Sequence, residues 1–301
     1  MTKTKNRYAN APKNADYTID QAWESYSAEE HDRWDRLFVR QRQVLNGRAC
    51  TEFLEAMEAL QLSDKGIPHM ERLSDRLEAK TGWRVVPVAD LVPDDVFFNH
   101  LANKRFPAGA FIRPEAEFDY LEEPDIFHDI FGHVPMLANP TFAEFMEAYG
   151  KGGQRALTLN QLHHLARLYW YTVEFGLIQT DEGLRIYGAG IASSPDESRF
   201  SLEDTSPNRI GFNLDRIMRT KYIIDDFQQT YFVIDSFSAL LDTCYADFGD
   251  VYDRVKGTTD FEANCVVEGD NILHRGTLAY FQNRLSNNQK LITGNTGHPA
   301  P

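Results

Sequence analysis

Residues 124–135 place two histidines, His128 and His133, five positions apart within a strongly apolar stretch. An imidazole in such surroundings needs a hydrogen bond, a charged partner or a metal ion, because burying it without one is costly. Residues five apart on a regular α-helix lie about 140° apart around its axis and cannot share a face. Gly132 is typical of a helix end, and Pro135 disfavours a restart beyond it. We predict that His128 lies on a helix and His133 on the turn that leaves it, so that both rings reach one point.

Glu174 is the second unusual polar residue, because it lies in an apolar helical pattern at residues 158–179. Apolar residues surround the axis of this predicted helix, so we expect it to be deeply buried. A buried glutamate is rare unless it is paired with a base or bound to a metal. An internal salt bridge with Arg167, two turns earlier, is the alternative to a metal site. Chance spacing is the alternative for the histidines, since the chain has nine in 301 residues.

Composition excludes several classes of partner. The chain has 31 Lys and Arg against 45 Asp and Glu, a net charge of −14, whereas nucleic acids and anionic membranes select for clustered basic residues. Its three cysteines are widely spaced, which argues against a disulfide framework or a cysteine zinc site. Since there is no secretory leader and no run of about 18 apolar residues, we expect a cytoplasmic protein with no membrane or nucleic-acid partner.

Capping signals and apolar periodicity predict a mostly α-helical fold with small β elements, of the α+β class. The predicted helices are residues 27–46, 51–60, 68–82, 93–101, 140–150 and 158–179. The predicted strands are residues 83–88, 111–113 and 184–187. No repeat or linker divides the chain, so we predict one main domain at residues 21–250. A loose arm at residues 1–20 and a partly ordered tail at residues 251–301 would flank it.

Two neutral imidazoles and one carboxylate are a recognised set of metal ligands. With open positions the set suits Fe(II) in oxygenases, and it also binds Zn²⁺ in hydrolases. The zinc-protease pattern is His-Glu-x-x-His, whereas the spacing here is one residue longer and Asp129 replaces the glutamate. The pattern therefore favours an oxygenase over a hydrolase. A non-catalytic helical protein stabilised by a metal is the third possibility.

The residues around these candidate ligands are rich in aromatic side chains and include one well-placed arginine. The aromatic residues are Phe97, Phe127, Phe131, Tyr169, Trp170 and Tyr171. Aromatic walls suit a flat cofactor or substrate, but they are also ordinary core material, and composition does not decide between the two. Arg113 can bind a carboxylate through two parallel hydrogen bonds, and Asp125 is a suitable partner to hold its guanidinium.

Several motifs together resemble those of the pterin-dependent aromatic amino acid hydroxylases, and most closely those of the bacterial members. They are Pro124-Asp125 with His128-x4-His133-Val134-Pro135, Tyr169-Trp170 with Val173-Glu174-Phe175-Gly176, and Tyr187-Gly-Ala-Gly190 with Ser193-Ser194. The motifs occur in the family's order over residues 25–245, the whole catalytic domain. Their combination is far more specific than any one of them.

The resemblance implies a single catalytic domain that hydroxylates L-phenylalanine at C4 to give L-tyrosine, the first step of phenylalanine catabolism. The implied cofactors are Fe(II) and a tetrahydropterin, with O₂ as co-substrate. The implied iron ligands are His128, His133 and Glu174. The implied substrate-binding residues are Arg113, Asp125, Pro124, Trp170 and Ser193. The implied pterin-side residues are Phe97, Asp129, Tyr169 and Glu197. Tyrosine or tryptophan hydroxylation is the alternative within the family.

The chain departs from the animal members of this family in two ways. Leu121 stands where they have a threonine, so one polar contact to the amino acid is missing or replaced. The chain has no room for their N-terminal regulatory domain and no C-terminal heptad helix, which predicts an unregulated monomer. Ile224 is apolar where tyrosine-hydroxylating relatives place an acidic residue, and this suits an unsubstituted ring. Apolar packing rejects a hydroxyl only in part, so we expect weak activity on other aromatic amino acids.

Overall fold

The computed structural model describes residues 6–62, 65–119, 123–246 and 248–294, with side chains up to residue 287. Helices dominate and strands are short, which confirms the predicted α+β class. The α-helices are α1 (Ala28–Leu45), α2 (Thr51–Ala59), α3 (Met70–Thr81), α4 (Asp94–Ala102), α5 (Val134–Leu137), α6 (Pro140–Thr158), α7 (Leu162–Tyr169), α8 (Ala189–Ser193), α9 (Pro195–Glu203), α10 (Leu214–Met218), α11 (Phe237–Asp242), α12 (Phe248–Val255) and α13 (Ala279–Gly294). The strands are β1 (Arg84–Val88), β2 (Arg105–Gly109), β3 (Leu177–Thr180), β4 (Gly183–Ile186), β5 (Asn208–Gly211), β6 (Thr230–Ile234) and β7 (Ile272–His274).

The first helix begins where its capping signal predicts. Ser27 Oγ accepts a hydrogen bond from the Glu30 N–H at 3.2 Å, and the Glu30 carboxylate accepts one from the Ser27 N–H at 2.8 Å. The strand predicted at residues 111–113 is wrong, since this segment joins neither sheet of the described chain. Its backbone is fixed instead by the Phe111 carbonyl, which accepts from the Ile126 N–H at 2.8 Å. This contact holds the segment against the histidine stretch.

The long helix predicted at residues 158–179 is also wrong, because this helical segment extends only from Leu162 to Glu174. α7 passes into a π-helix at Trp170–Glu174, and strand β3 begins at Leu177. Gly176 lies at this change of direction, where a Cβ atom would be 2.2 Å from Tyr187 Cζ and 2.3 Å from the Thr172 carbonyl oxygen. The close approach that ends the helix is therefore possible only for glycine.

Two sheets accompany the helices. The larger one is mixed, with strand order β4-β3-β6-β5-β7. β6 runs parallel to both β3 and β5, and the edge strands β4 and β7 are antiparallel to their neighbours. The smaller sheet pairs β1 and β2 in parallel, with α4 as the connection. Strand β7 brings the C-terminal part of the chain against the same sheet that follows the Glu174 segment.

The histidine stretch is itself a π-helix, Phe127–His133, and its apolar side is packed in the core. The Phe127 ring meets Trp34 edge-on at 5.4 Å, and the Phe131 ring meets Phe38 at 5.5 Å. These side chains are buried, so the core fixes the rotation of the π-helix and directs the histidines away from it. No helix within the described ranges has the length and hydropathy needed to cross a bilayer.

Candidate metal centre and active site

The π-helix, and not a bend, brings the two histidines together. Backbone hydrogen bonds in a π-helix join residues five apart, so that residues at this spacing lie on one side. His128 Nε2 and His133 Nε2 are 3.2 Å apart, with the ring planes at 83°. The predicted turn at His133 is wrong, since the helix continues directly into α5 with Pro135 in its first turn. The predicted convergence of the two rings is confirmed.

Gly132 has a packing role in place of the predicted role as a helix end. A Cβ atom at this position would lie 2.9 Å from the Ala189 carbonyl oxygen and 3.2 Å from Ala189 Cβ. The absent side chain therefore lets α8 lie directly across the π-helix. Ser193 at the end of α8 thereby reaches His128, with Ser193 Oγ 2.9 Å from Nδ1 of the ring.

Glu174 completes the group from the last position of the second π-helix. Its Oε1 lies 3.1 Å from His133 Nε2, and its Oε2 lies 3.6 Å from His128 Nε2. The alternative of an internal salt bridge with Arg167 is wrong, because both terminal nitrogens of Arg167 bind Asp260 at 2.8 and 2.7 Å. Of His128, His133 and Arg167, only the two histidines contact the Glu174 carboxylate.

The three side chains fit a metal ion. One donor atom from each lies within 4.8 Å of the others. Ligands at right angles around a metal, with bonds of about 2.1 Å, are about 3 Å apart, which is close to the separations of these donors. Two nitrogens and one carboxylate on one side leave the other side open, which is the arrangement typical of non-haem Fe(II).

The electrostatics of the group also favour metal binding. Burial lowers the pKa of His128 to about 4, and Glu174 offsets this only in part, so the ring is neutral at pH 7. The tautomer that donates from Nδ1 to Ser193 leaves the Nε2 lone pair facing the other donors. Burial raises the pKa of Glu174, but His133 outweighs it and the pKa is lowered. A cation would replace the proton that His133 shares with this carboxylate.

A cavity of about 780 Å³ opens beside these donors. Seven of the predicted iron-, substrate- and pterin-binding residues line it, namely Arg113, Pro124, His128, Trp170, Glu174, Ser193 and Glu197. Ile224 stands at its rim with 76% of its surface exposed. Leu121 lies outside the described residues. The cavity therefore joins the metal donors to most of the predicted substrate-binding residues.

Arg113 and Asp125 form a buried, bidentate ion pair. Asp125 accepts from Arg113 Nε and Nη2 at 2.8 Å each, and from the backbone N–H groups of Arg113 and His128 at 2.9 and 3.1 Å. Burial alone would raise the pKa of Asp125, but Arg113 outweighs it and the pKa is lowered. No hydrogen bond joins Arg113 Nη1 to another residue within the described ranges. This nitrogen is the donor that the pair offers to the cavity.

Three of the four predicted pterin-side residues form a separate group next to His133. The Tyr169 ring is stacked on the His133 ring at 6.2 Å, and the Phe97 ring meets Tyr169 at 5.9 Å. Asp129 Oδ2 accepts from the Gly109 N–H at 2.7 Å. None of the three is among the described residues that line the cavity. They border the donor group from another direction.

Glu197, the fourth, is not part of this group. It is buried beside the cavity, where Oε1 accepts hydrogen bonds from the Tyr231 hydroxyl and, at 3.2 Å, from the Gln228 N–H. Burial raises the pKa of Glu197 to about 7, although the Tyr231 hydrogen bond opposes this. Glu197 thus connects α9 to the segment that precedes β6.

Sequence reasoning missed the residues that hold Trp170 in place. Its indole Nε1 donates to Gln228 Oε1 at 3.0 Å, and its ring is stacked on Tyr222 at 4.4 Å. Asp226 in the same segment accepts from Tyr280 and Arg284 of α13. No motif marks these residues, and the adjacent polar pair Gln228 and Gln229 before an apolar strand is the only signal in the sequence.

The chain belongs to the family of biopterin-dependent aromatic amino acid hydroxylases, whose sequence model matches residues 3–254. It is 60% identical over 265 residues to the phenylalanine-4-hydroxylase of Caulobacter vibrioides, which covers 88% of this chain and 90% of that protein. It is 52% identical over 261 residues to the phenylalanine-4-hydroxylase of Chromobacterium violaceum, covering 87% of this chain and 88% of that protein. The crystal structure of phenylalanine hydroxylase from Chromobacterium violaceum with iron and phenylalanine bound superposes with a TM-score of 0.85 at 50% identity, over 88% of this chain and 97% of that one.

Proposed function

We propose that this protein is a phenylalanine 4-monooxygenase, which converts L-phenylalanine to L-tyrosine with O₂ and a tetrahydropterin at a non-haem Fe(II). The observation that carries the proposal is the meeting of His128, His133 and Glu174 beside a cavity that is also lined by a fixed arginine. Bound Fe(II) and reduced pterin supply the activation of O₂, one atom of which enters the aromatic ring. The protein's own residues bind and orient the substrate.

Arg113 binds the substrate carboxylate. Asp125 occupies Nε and Nη2 of the guanidinium, so Nη1 remains to donate to a carboxylate in the cavity. Asp125 also keeps the guanidinium charged: burial would lower the pKa of Arg113, but Asp125 outweighs this and raises it. A charge-assisted hydrogen bond from a fixed arginine places the amino acid in one orientation, with its side chain toward the metal donors.

Trp170 and Pro124 form the walls around the substrate ring. Trp170 lies between the rings of Phe175 and Tyr222, at 4.9 and 4.4 Å, so its position does not depend on the substrate. Aromatic walls favour an aromatic side chain through offset or edge contacts. Ser193 keeps the His128 ring oriented through its contact with Nδ1, and so supports the substrate pocket from the metal side.

Phe97, Tyr169 and Asp129 bind the pterin on the other border of the donor group. Phe97 and Tyr169 provide flat apolar surfaces, and Asp129 provides a polar group for the ring nitrogens of a heterocycle. Pterin and amino acid would then approach one metal from two different directions. Glu197, at the cavity wall, acts on the site through the hydrogen bond that it accepts from the Gln228 N–H.

Ile224 favours phenylalanine over tyrosine, because an apolar residue at the rim offers no partner for a ring hydroxyl. Weak hydroxylation of other aromatic amino acids is expected for the same reason, since apolar packing discriminates poorly. We also propose that the enzyme is a cytoplasmic monomer and that it begins phenylalanine catabolism.

One assay separates this proposal from its alternatives. The purified protein is incubated with L-phenylalanine, with and without O₂, with and without tetrahydropterin, and with Fe(II) or Zn²⁺. We expect tyrosine only when O₂, pterin and Fe(II) are all present. Turnover with Zn²⁺ in the absence of O₂ would favour a hydrolase. A metal that raises the melting temperature without any turnover would favour a non-catalytic protein.

A further inference from the structure

One side of the cavity is formed by residues 222–228 and by the first two turns of α13, which together we call the outer wall. Asp226, Phe227, Tyr280 and Arg284 all line the cavity. The family model ends at residue 254, so α13 lies beyond the part of the chain that it matches. The C-terminal helix is thus next to the substrate side of the site although it is not part of the matched stretch.

Residues 222–228 hold Trp170 by a stacked ring and a hydrogen bond. Gln228 Oε1 accepts from the Trp170 indole at 3.0 Å, and Gln228 Nε2 donates to the Ile223 carbonyl at 2.5 Å. Gln228 is 1% exposed, so few other positions of its side chain are open. A shift of this segment therefore moves the acceptor of the indole and the ring stacked on it.

Asp226 joins the segment to α13. It accepts from the Tyr280 hydroxyl at 2.6 Å through Oδ1 and from Arg284 Nε at 2.8 Å through Oδ2. The Tyr280 ring also meets Phe227 at 5.3 Å and Phe200 at 5.2 Å. Both oxygens of one carboxylate are thus used by one helix, which restrains the segment in two directions.

The start of α13 is itself fixed by backbone contacts. The Leu278 N–H donates to the Ser206 carbonyl and the Tyr280 N–H to Ser206 Oγ, both at 3.0 Å. The Gly276 N–H donates to Asn208 Oδ1 at 2.9 Å, and a Cβ atom at Gly276 would lie 2.1 Å from the Ser206 carbonyl oxygen. Tyr280 and Arg284 therefore stand on a helix start that is anchored to β5.

We propose that Asp226, Tyr280 and Arg284 are positioning residues for the substrate pocket. They hold residues 222–228 against α13, and this segment holds Trp170 at the substrate ring. The C-terminal helix thereby sets how tightly the aromatic side chain of the substrate is bound. This inference rests on the proposed function, because it assigns the cavity to an aromatic amino acid.

Kinetics of full-length variants test the inference. We expect Asp226→Asn, Tyr280→Phe and Arg284→Gln each to raise the KM for L-phenylalanine about three- to fivefold while kcat changes less than about twofold. Arg284→Lys, which can still donate to Asp226, should return KM toward the wild-type value. The double variant of Asp226→Asn with Arg284→Gln should have the same KM as Asp226→Asn alone, because the two substitutions remove the same contact.

Arg254→Gln is the matched control, since Arg254 makes a bidentate pair with Asp215 at 2.8 Å and is 54% exposed, against 52% for Arg284. It should leave KM unchanged. An unchanged KM in all three variants, or a fall in kcat alone, would overturn the inference. If the wild-type protein does not hydroxylate phenylalanine, the proposed function fails instead.

A measurement without substrate or cofactor separates these failures. The chain has four tryptophans, and Trp170→Phe gives the fluorescence of the other three. The difference in fluorescence between the proteins with and without Trp170 reports the quenching of Trp170 by acrylamide. We expect stronger quenching of Trp170 in the Asp226 and Arg284 variants than in Arg254→Gln. Equal quenching would overturn the inference whether or not the enzyme is active.

Discussion

Two arginine–aspartate pairs lie beside the cavity in different surroundings, one bidentate and one with a single contact. In both Arg113–Asp125 and Arg284–Asp226 the bridging nitrogen and oxygen are 2.8 Å apart. The side chains of the first pair are 8% and 0% exposed, and those of the second are 52% and 23% exposed. The first pair fixes a charge inside the protein next to the metal donors, while the second restrains a segment at the surface.

Because the two pairs differ in burial, substitutions in the two regions should have different effects. Removal of one partner from a buried pair leaves an uncompensated charge, which is strongly destabilising. An exposed pair is screened by water and salt and contributes little to folding. We call Arg113, Asp125, His128, His133 and Glu174 the inner wall. Changes in the inner wall should reduce stability or metal binding, whereas changes in the outer wall should alter substrate binding alone.

Glu174→Ala should have the largest effect. A small effect would contradict the difference between the inner and outer walls. The variant keeps two imidazoles but loses the only carboxylate among the three donors. Loss of a group that merely orients a metal ligand costs about 10- to 100-fold, so loss of a ligand should leave less than about 1% of the turnover. Metal content after dialysis and tyrosine formation are the measurements. Glu182→Ala, on an exposed turn, is the control. A fully active, iron-loaded Glu174→Ala variant would remove Glu174 from the metal site.

The inner wall could be predicted from the sequence because its unusual residues are close together. Asp125, His128 and His133 fall within ten positions, and a glutamate in an apolar helix is an anomaly that needs a partner. The local geometry could not be predicted. Glycine is favoured both at helix ends and where another helix approaches closely. Only the fold shows that Gly132 is needed for the close approach of Ala189.

The contacts that hold the outer wall could not be predicted, although Ile224 within it was, and the physical reason is different. Its hydrogen bonds join residues 54 to 58 positions apart, as in Tyr280 with Asp226 and Trp170 with Gln228. Aspartate, arginine and glutamine are common on any surface, so their types carry no signal. The contacts exist only because β7 pairs with β5 and directs the following helix to the cavity.

Asp125→Asn should have the next largest effect, on stability. The variant keeps the size of the side chain but leaves the buried Arg113 without its counter-charge. We expect a loss of about 3 to 5 kcal/mol in the free energy of unfolding, together with a raised KM for phenylalanine. Urea unfolding of the metal-free proteins measures the first. Asp215→Asn, in the exposed pair with Arg254, is the matched control. Equal unfolding midpoints for both variants would mean that burial does not distinguish the two kinds of pair.

Glu197→Gln should have the smallest effect. It tests whether burial separates the two walls, because Glu197 is buried but contacts the outer-wall residue Gln228. Burial raises the pKa of Glu197 from 4.5 to about 7, and the nearby Asp226 adds to this. Between these pH values the folded protein binds the proton that the unfolded chain has lost. The free energy of unfolding therefore falls as the pH rises through this window, by at most about 3 kcal/mol.

The glutamine variant cannot titrate, so its stability relative to the wild type should increase over the same window. Urea unfolding at about pH 5, 6, 7 and 8 measures this difference. Glu203→Gln is the control, because Glu203 is exposed on α9, the helix that carries Glu197. It reports how the loss of any carboxylate from this helix changes the stability. A difference that stays constant with pH would mean that Glu197 is ionised in the folded protein. A buried charge would then contact the outer wall through Gln228, and burial of charge would no longer separate the region that binds the metal from the region that positions Trp170.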